Sequence, residues 1–289
     1  MPNMEFGSAV VVGGGTMGNG IAHVLALNGV PTTLIEATPE LAAKAKAAIV
    51  KNLERQVAKG VVTAEQKDAA LALLKTALSP AEAKGFSLAV EAVPERMELK
   101  KKIFRELAAA GAPGAILASN TSSLSITELA AAVDAPERVI GMHFMNPVPV
   151  MKLVEIIRGD KTSDATTSAI LDLTAKLRKT PAVSRDRPGF ISNRILMPMI
   201  NEAIFCLMEG VATKEDIDVV MKLGMAHPMG PLALADYIGL DVCLAIMGVL
   251  EDGFKDPKYR VAPLLRQMVA EGKLGVKTGA GFYTYPAKT

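Results

Sequence analysis

Ser8-Ala9-Val10-Val11-Val12-Gly13-Gly14-Gly15-Thr16-Met17-Gly18 is the stretch that decides the fold. Ser8–Val12 is a short β-rich run that breaks at three consecutive glycines. Thr16–Asn28 then carries helical spacing and stops at Asn28-Gly29, a helix C-terminal signal. The pattern Gly13-x-Gly15-x-x-Gly18 is weak by itself, because glycine-rich loops are common. Its setting strengthens it: a strand precedes it, a helix that opens at Thr16-Met17 follows, and Glu36 closes the next strand, Thr32–Ile35, 18 positions beyond Gly18. In a dinucleotide-binding turn the first glycine permits the tight reversal, the second lets backbone approach a pyrophosphate, and the third lets helix pack on strand. The helix N-terminus offers its unpaired N–H groups to the phosphates. A carboxylate at position 36 accepts hydrogen bonds from a ribose 2′-hydroxyl and repels a 2′-phosphate, so NAD is the expected cofactor. The bland alternative is a glycine-rich turn without ligand beside a solvated glutamate.

Outward from this turn, Pro39 to about Leu78 reads as helical, with a break near Gly60-Val61-Val62-Thr63. Thr63-x-x-Gln66 resembles a capping box, so residues 39–78 are expected to form a helical hairpin. Short strands are then expected at Ser87–Val93, Ala115–Ala118, Arg138–Phe144, Lys152–Ile157 and Thr180–Ser184, separated by helices. That alternation implies an α/β fold: a doubly wound, mostly parallel Rossmann-type sheet covered on both faces. Beyond Arg187-Pro188-Gly189 the periodicity is helical, and the only strand candidate is Gly281–Tyr285. The expected organisation is a dinucleotide-binding domain over 1–187 and an all-α domain over 188–289, with no internal repeat.

The bulk numbers narrow the function. The chain has 289 residues, half of them hydrophobic, so it can bury a substantial core around two domains. A formal charge of +2, no Trp and few aromatics argue against nucleic acid as the main partner. The two cysteines, Cys206 and Cys243, lie in apolar stretches, which suits a reducing compartment. The N-terminal stretch has no basic region before its apolar run, and no later apolar run reaches membrane length. The expectation is a soluble, cytoplasmic protein with neither a membrane nor a metal in its function.

Dehydrogenation of an alcohol needs a base that is free near neutral pH, and histidine is the usual choice. There are three. His23 lies inside the first helix and reads as a packing or surface residue. His227, in Gly224-Met225-Ala226-His227-Pro228, reads as a structural loop residue. His143 ends the strand Arg138–Phe144, at the sheet edge where ligands of open α/β folds gather. Glu155 sits in the next strand among apolar neighbours, where a carboxylate is costly unless paired. Adjacent strands would bring the two together, the carboxylate fixing the tautomer and orientation of the imidazole. Spacing alone leaves open a structural histidine and an unrelated strand-edge glutamate.

Further motifs follow in order: Glu91-Ala92-Val93-Pro94-Glu95, Ser119-Asn120-Thr121-Ser122-Ser123-Leu124, His143-Phe144-Met145-Asn146-Pro147-Val148-Pro149, Pro188-Gly189-Phe190-Ile191-Ser192-Asn193-Arg194 and Lys277-Thr278-Gly279-Ala280-Gly281-Phe282-Tyr283. With the glycine turn, the set resembles the L-3-hydroxyacyl-CoA dehydrogenase family in its monofunctional, two-domain form, over nearly the whole chain. The resemblance implies NAD-dependent, reversible oxidation of (S)-3-hydroxyacyl-CoA to 3-oxoacyl-CoA, with acetoacetyl-CoA and 3-hydroxybutyryl-CoA as the expected pair. It implies His143 as general base, Glu155 as its orienting partner, Ser122 at the substrate oxygen and cofactor, and Asn193 completing the cluster from the second domain. It also implies NAD contacts at Gly13, Gly15, Thr16, Met17, Gly18, Glu36, Glu95, Lys100, Asn146 and Lys277, and a homodimer through the helical domain. For Lys100 and Lys277 a solvated charge is the competing reading.

Two positions depart from the family pattern. Its ribose carboxylate is usually aspartate, where this chain has Glu36, and some relatives carry a CoA-contacting serine where this chain has Asn52. Lys44, Lys51, Arg55 and Lys59 share one face of the hairpin helix, which suits the phosphates of CoA or an ordinary solvated face. Lys59 is the favoured CoA contact. Three rival functions remain in view: a dehydrogenase of a free sugar acid such as L-gulonate, a non-enzymatic structural protein of the lens-crystallin kind, and an NAD-sensing module without hydride transfer.

Overall fold

The computed structural model describes residues 6–286; residues 1–5, part of the N-terminal stretch read above, lie outside it. Backbone contacts divide the chain into two compact units, the first ending at Asp186 and the second beginning at Arg187.

The first unit is built on one eight-stranded sheet: β1 (Ala9–Val12), β2 (Thr32–Ile35), β3 (Leu74–Ala77), β4 (Leu88–Glu91), β5 (Ile116–Ser119), β6 (Val139–Phe144), β7 (Leu153–Arg158) and β8 (Thr180–Arg185). Their spatial order is β3-β2-β1-β4-β5-β6-β7-β8. Every pairing is parallel except β6 with β7. β1, β4 and β5 are buried along their whole length, as parallel strands covered on both faces must be. The helices that cover them are α1 (Thr16–Leu27), α2 (Pro39–Ala58), α3 (Ala64–Ala72), α4 (Met97–Ala110), α5 (Ile126–Ala130) and α6 (Asp164–Lys176). Because β1 pairs with β2 on one side and β4 on the other, the chain reverses its winding there. A crevice opens at that switch point, beyond the C-terminal ends of the strands.

α2 and α3 form the hairpin expected from sequence. Thr63 caps α3 reciprocally: its Oγ1 accepts the Gln66 N–H at 3.2 Å, and the Gln66 side chain accepts the Thr63 N–H at 2.9 Å. The helical reading runs too far, however, because Leu74–Ala77 is a strand. Its four residues lie in an Ala/Leu-rich run of high helix propensity. Parallel pairing, with Leu74 beside Thr32 and Ala77 beside Ile35, overrides that preference. His23 is buried in α1 and fastens it to α2 through a 3.1 Å bond between Nε2 and the Gln56 side chain.

The second unit is helical: α7 (Ser192–Met208), α8 (Lys214–Val219), α9 (Pro231–Ile238), α10 (Leu240–Phe254) and α11 (Pro263–Ala270). Its core gathers Met197, Ile204, Leu232, Leu240, Met247 and Leu265. The strand expected at Gly281–Tyr285 does not form. Asp236, buried in α9, takes the N–H groups of Phe282 and Tyr283, each at 2.9 Å, and the Tyr285 hydroxyl at 3.0 Å. Only isolated bridges remain, Gly275 with Ala280 and Ala280 with Thr284. Among the described residues no single helix is long and apolar enough to cross a membrane. α9 and α10 reach that measure only as a pair, bent by 99° at Gly239.

Burial lowers the His23 pKa, an effect that the Gln56 bond only partly offsets, and Nδ1 has no partner. The unfolded chain takes up this proton as pH falls through about 6.5, while the folded chain resists it, so His23 subtracts stability on the acid side. His23→Leu is therefore expected to narrow the gap in melting temperature between pH 7.5 and 5.5. An unchanged gap in a thermal melt series would contradict the assignment.

Candidate active site

The glycine turn behaves as a cradle. Gly13 adopts φ +91°, and a Cβ there would press to 2.8 Å from the Ala92 carbonyl oxygen. A Cβ at Gly18 would overlap the Gly13 carbonyl oxygen, so α1 packs on the turn only without one. Gly15 differs: nothing lies within 4 Å of its open side, where a pyrophosphate needs room. Gly15 is the N-cap of α1, and neither a capping side chain nor an acidic residue in the first turn takes the leading N–H groups. A cavity of about 840 Å³ extends from this turn and is lined by Gly13, Gly15, Thr16, Met17, Glu36 and Glu95, with Lys100 at its wall.

Glu36 follows β2 and reaches back to the turn. Its Oε1 accepts the Gly14 N–H at 2.5 Å, and Oε2 accepts the Ala37 N–H at 3.1 Å. A carboxylate has about four acceptor sites. Two backbone bonds thus hold it still and leave lone pairs for ribose hydroxyls, so the extra methylene relative to aspartate is absorbed by the fold-back. The residues present fit a dinucleotide without a 2′-phosphate.

Across the crevice, Glu95 anchors the loop after β5. It accepts the Ser122 N–H at 2.8 Å, the Ser122 hydroxyl at 3.3 Å and the Thr121 hydroxyl at 2.8 Å. Lys100 is no solvated charge. It is 1% exposed and forms an ion pair with Glu91 at 2.7 Å.

His143 and Glu155 stand directly opposite each other in the antiparallel β6–β7 register. Nδ1 lies 3.1 Å from Glu155 Oε2, and both side chains are buried. An ionised carboxylate only accepts, so beside it Nδ1 is the donor. The turn between the two strands carries the exposed Asn146. It is fastened by Lys179, whose ammonium donates to the carbonyls of Val148 at 2.7 Å and Met151 at 2.6 Å. Burial lowers the Lys179 pKa.

The remaining expected positions lie elsewhere. Asn52 is half-buried on α2, and Lys44, Lys51, Arg55 and Lys59 are all exposed, Lys59 at the C-cap of that helix. Asn193 and Lys277 belong to the second unit. Asn193 is buried in the first turn of α7, and Lys277 forms an ion pair with Asp241. Sequence reading missed Asn120, whose side-chain oxygen accepts the Phe144 N–H at 2.9 Å and so closes β6 beside His143. It also gave no role to Glu91, although the argument used for Glu155 applies to it: a carboxylate ending an apolar strand must have partners.

The glycine turn at a parallel-sheet switch point, with a buried imidazole–carboxylate pair on the same unit, defines a nicotinamide-dinucleotide dehydrogenase scaffold. Comparison with known proteins narrows the class. Residues 8–187 match the model of the 3-hydroxyacyl-CoA dehydrogenase NAD binding domain, and residues 189–285 match that of the 3-hydroxyacyl-CoA dehydrogenase C-terminal domain. The sequence is 55% identical to a 3-hydroxybutyryl-CoA dehydrogenase of Bradyrhizobium diazoefficiens, covering 95% of this chain and 94% of that one. It is 50% identical to a probable 3-hydroxybutyryl-CoA dehydrogenase of Bacillus subtilis, covering 99% and 100%. The crystal structure of (S)-3-hydroxybutyryl-CoA dehydrogenase from Ralstonia eutropha superposes with a TM-score of 0.95 at 48% identity, over 98% of this chain and 100% of that one. The chain belongs to the 3-hydroxyacyl-CoA dehydrogenase family, whose first domain binds NAD.

If Glu36 holds the ribose, Glu36→Ala raises the NADH dissociation constant by about tenfold, the equivalent of ~1.4 kcal/mol. Affinity for an acyl-CoA should barely move. Equal losses for the two ligands, measured by fluorescence titration, would remove Glu36 from the ribose.

Proposed function

We propose that this chain catalyses the reversible oxidation of (S)-3-hydroxyacyl-CoA to 3-oxoacyl-CoA, with 3-hydroxybutyryl-CoA and acetoacetyl-CoA as its short-chain pair. The observation that carries this reading is the His143–Glu155 pair, set face to face by the β6–β7 register on the unit that holds the glycine turn. Bound NAD⁺ supplies the hydride acceptor. His143 Nε2 takes the proton of the substrate 3-hydroxyl, and Glu155, bonded at Nδ1, orients the ring and stabilises the imidazolium that results. In the reductive direction the protonated ring returns that proton to the ketone oxygen. Ser122 and Asn193 hold the reacting oxygen and the thioester portion in register, where positioning supplies several kcal/mol of barrier reduction.

Glu36, Glu95, Lys100, Asn146 and Lys277 are assigned to NAD, together with the backbone of Gly13, Gly15, Thr16, Met17 and Gly18. The exposed basic face of α2, with Lys59 as the favoured contact and Asn52 as the counterpart of the serine that some relatives carry, is assigned to CoA. The second domain, from residue 188, is assigned to completing the substrate site and to forming a homodimer. Val211, Val220, Leu223 and Met225 support the dimer, being large apolar side chains left 58–80% exposed on that unit. A cytoplasmic setting belongs to the same reading. Both cysteines are unpaired, and burial pushes the Cys243 thiol up to about 12.

The test is the decrease of NADH absorbance with acetoacetyl-CoA and 3-oxoacyl-CoAs of increasing length, with NADPH as control. L-gulonate with NAD⁺ serves as the rival substrate. Rapid NADH-dependent reduction of acetoacetyl-CoA, slow reaction with NADPH and none with L-gulonate are the expected results. Preference for L-gulonate would transfer the site to sugar acids. NADH binding without turnover of any thioester would leave a sensor or a structural protein.

A further inference from the structure

Glu91 is fully buried at the end of β4, and no step proposed above uses it. Its bonds run to three separate pieces of chain. Oε1 accepts the Lys100 ammonium at 2.7 Å, from α4, and the Val93 N–H at 2.6 Å, from the loop that leads to Glu95. Oε2 accepts the Ser119 hydroxyl at 2.6 Å, from the end of β5. Each partner passes the constraint on. The Lys100 ammonium also donates to the Val93 carbonyl at 3.0 Å and forms an ion pair with Glu95 Oε2 at 3.4 Å. Ser119 Oγ accepts the Thr121 N–H at 3.2 Å, and the Glu91 carbonyl accepts the Asn120 N–H at 2.8 Å. Both branches then meet, because Glu95 grips Thr121 and Ser122.

Two ions with 1% or less exposure are costly to desolvate, and an apolar pair of similar volume would fill the space at least as well. What an apolar pair lacks is direction. A fully satisfied buried network holds its members in one arrangement, and this one terminates at the loop that presents Ser122.

We propose that Glu91 is a positioning residue which, by bonding Lys100, Val93 and Ser119 together, sets the place of the Glu95 carboxylate and through it of the Ser122 hydroxyl. The proposal rests on the reading that Ser122 meets the substrate oxygen. Glu91→Gln keeps the side-chain shape but replaces one acceptor oxygen with an amide donor. Turned toward Oε1's place the amide opposes two donors, the Lys100 ammonium and the Val93 N–H; turned toward Ser119 it removes the acceptor of that hydroxyl, which must turn to accept instead. Displacement of a reacting-site contact by about 1 Å costs on the order of 100-fold, so a fall of roughly 10- to 100-fold in kcat is expected at saturating NADH and acetoacetyl-CoA.

The deciding experiment is a double-mutant cycle with Ser122→Ala, in variants whose thermal melts show a folded protein. Residues that act through one another do not add. Glu91→Gln should therefore cost much less in the Ser122→Ala background than in the wild type. If Glu91→Gln does not fold, Ser119→Ala, which removes only the Oε2 branch, takes its place in the same cycle with the same expectation. A wild-type kcat in the Glu91 or Ser119 variant overturns the proposal, and so does full additivity with a slow Ser122→Ala. If Ser122→Ala is as fast as the wild type, the reading of Ser122 fails and the proposal falls with it.

Discussion

His143 and Glu155 face each other because β7 reverses the direction of a sheet that is otherwise wound in parallel as far as β6. A parallel neighbour needs a long crossover, which would separate the residues following β6 from those entering the next strand. Here a short turn suffices, and residues twelve apart in sequence become direct cross-strand partners. The pairing also settles an energetic problem. Glu155 is 2% exposed, and a buried carboxylate without partners costs several kcal/mol. The imidazole N–H that satisfies it is thereby committed at Nδ1, and the proposed chemistry is assigned to Nε2. Register, burial and tautomer are one constraint seen at three levels.

The same logic recurs at the other strand ends. Glu36 returns to the turn after β1, Asn120 closes β6, Lys179 fastens the β6–β7 turn, and Glu91 joins β4, β5 and α4. In each case a polar side chain takes backbone groups at the C-terminal edge of the sheet, where the strands stop pairing. The loops beside the glycine turn are thus tied down by side chains at Gly14, Val93, Phe144, Val148 and Met151. That is how a site on loops acquires the rigidity of the sheet beneath it.

Much of this was legible in the residues. The glycine turn, the capping box at Thr63 and the strands at Thr32–Ile35 and around His143 and Glu155 each carry a local signal that tertiary context did not overturn. The misreadings share a cause. Leu74–Ala77 has only helical propensity to show until β2 lies beside it, and Gly281–Tyr285 has strand-like alternation until Asp236 claims its N–H groups. In both places a partner distant in sequence decides. Asn120 and Glu91 were overlooked for a related reason: their acceptors and donors come from strands that sequence order does not reveal as neighbours. The motifs quoted above marked both residues, but only the hydrogen bonds say what they hold.

The most direct test of the imidazole–carboxylate site is the kcat of His143→Gln for acetoacetyl-CoA reduction, measured with NADH affinity determined on the same protein. General acid–base catalysis by a positioned side chain contributes about 10²- to 10⁴-fold, so the account predicts a loss of that order with NADH binding intact. Turnover close to that of the unaltered enzyme would contradict it.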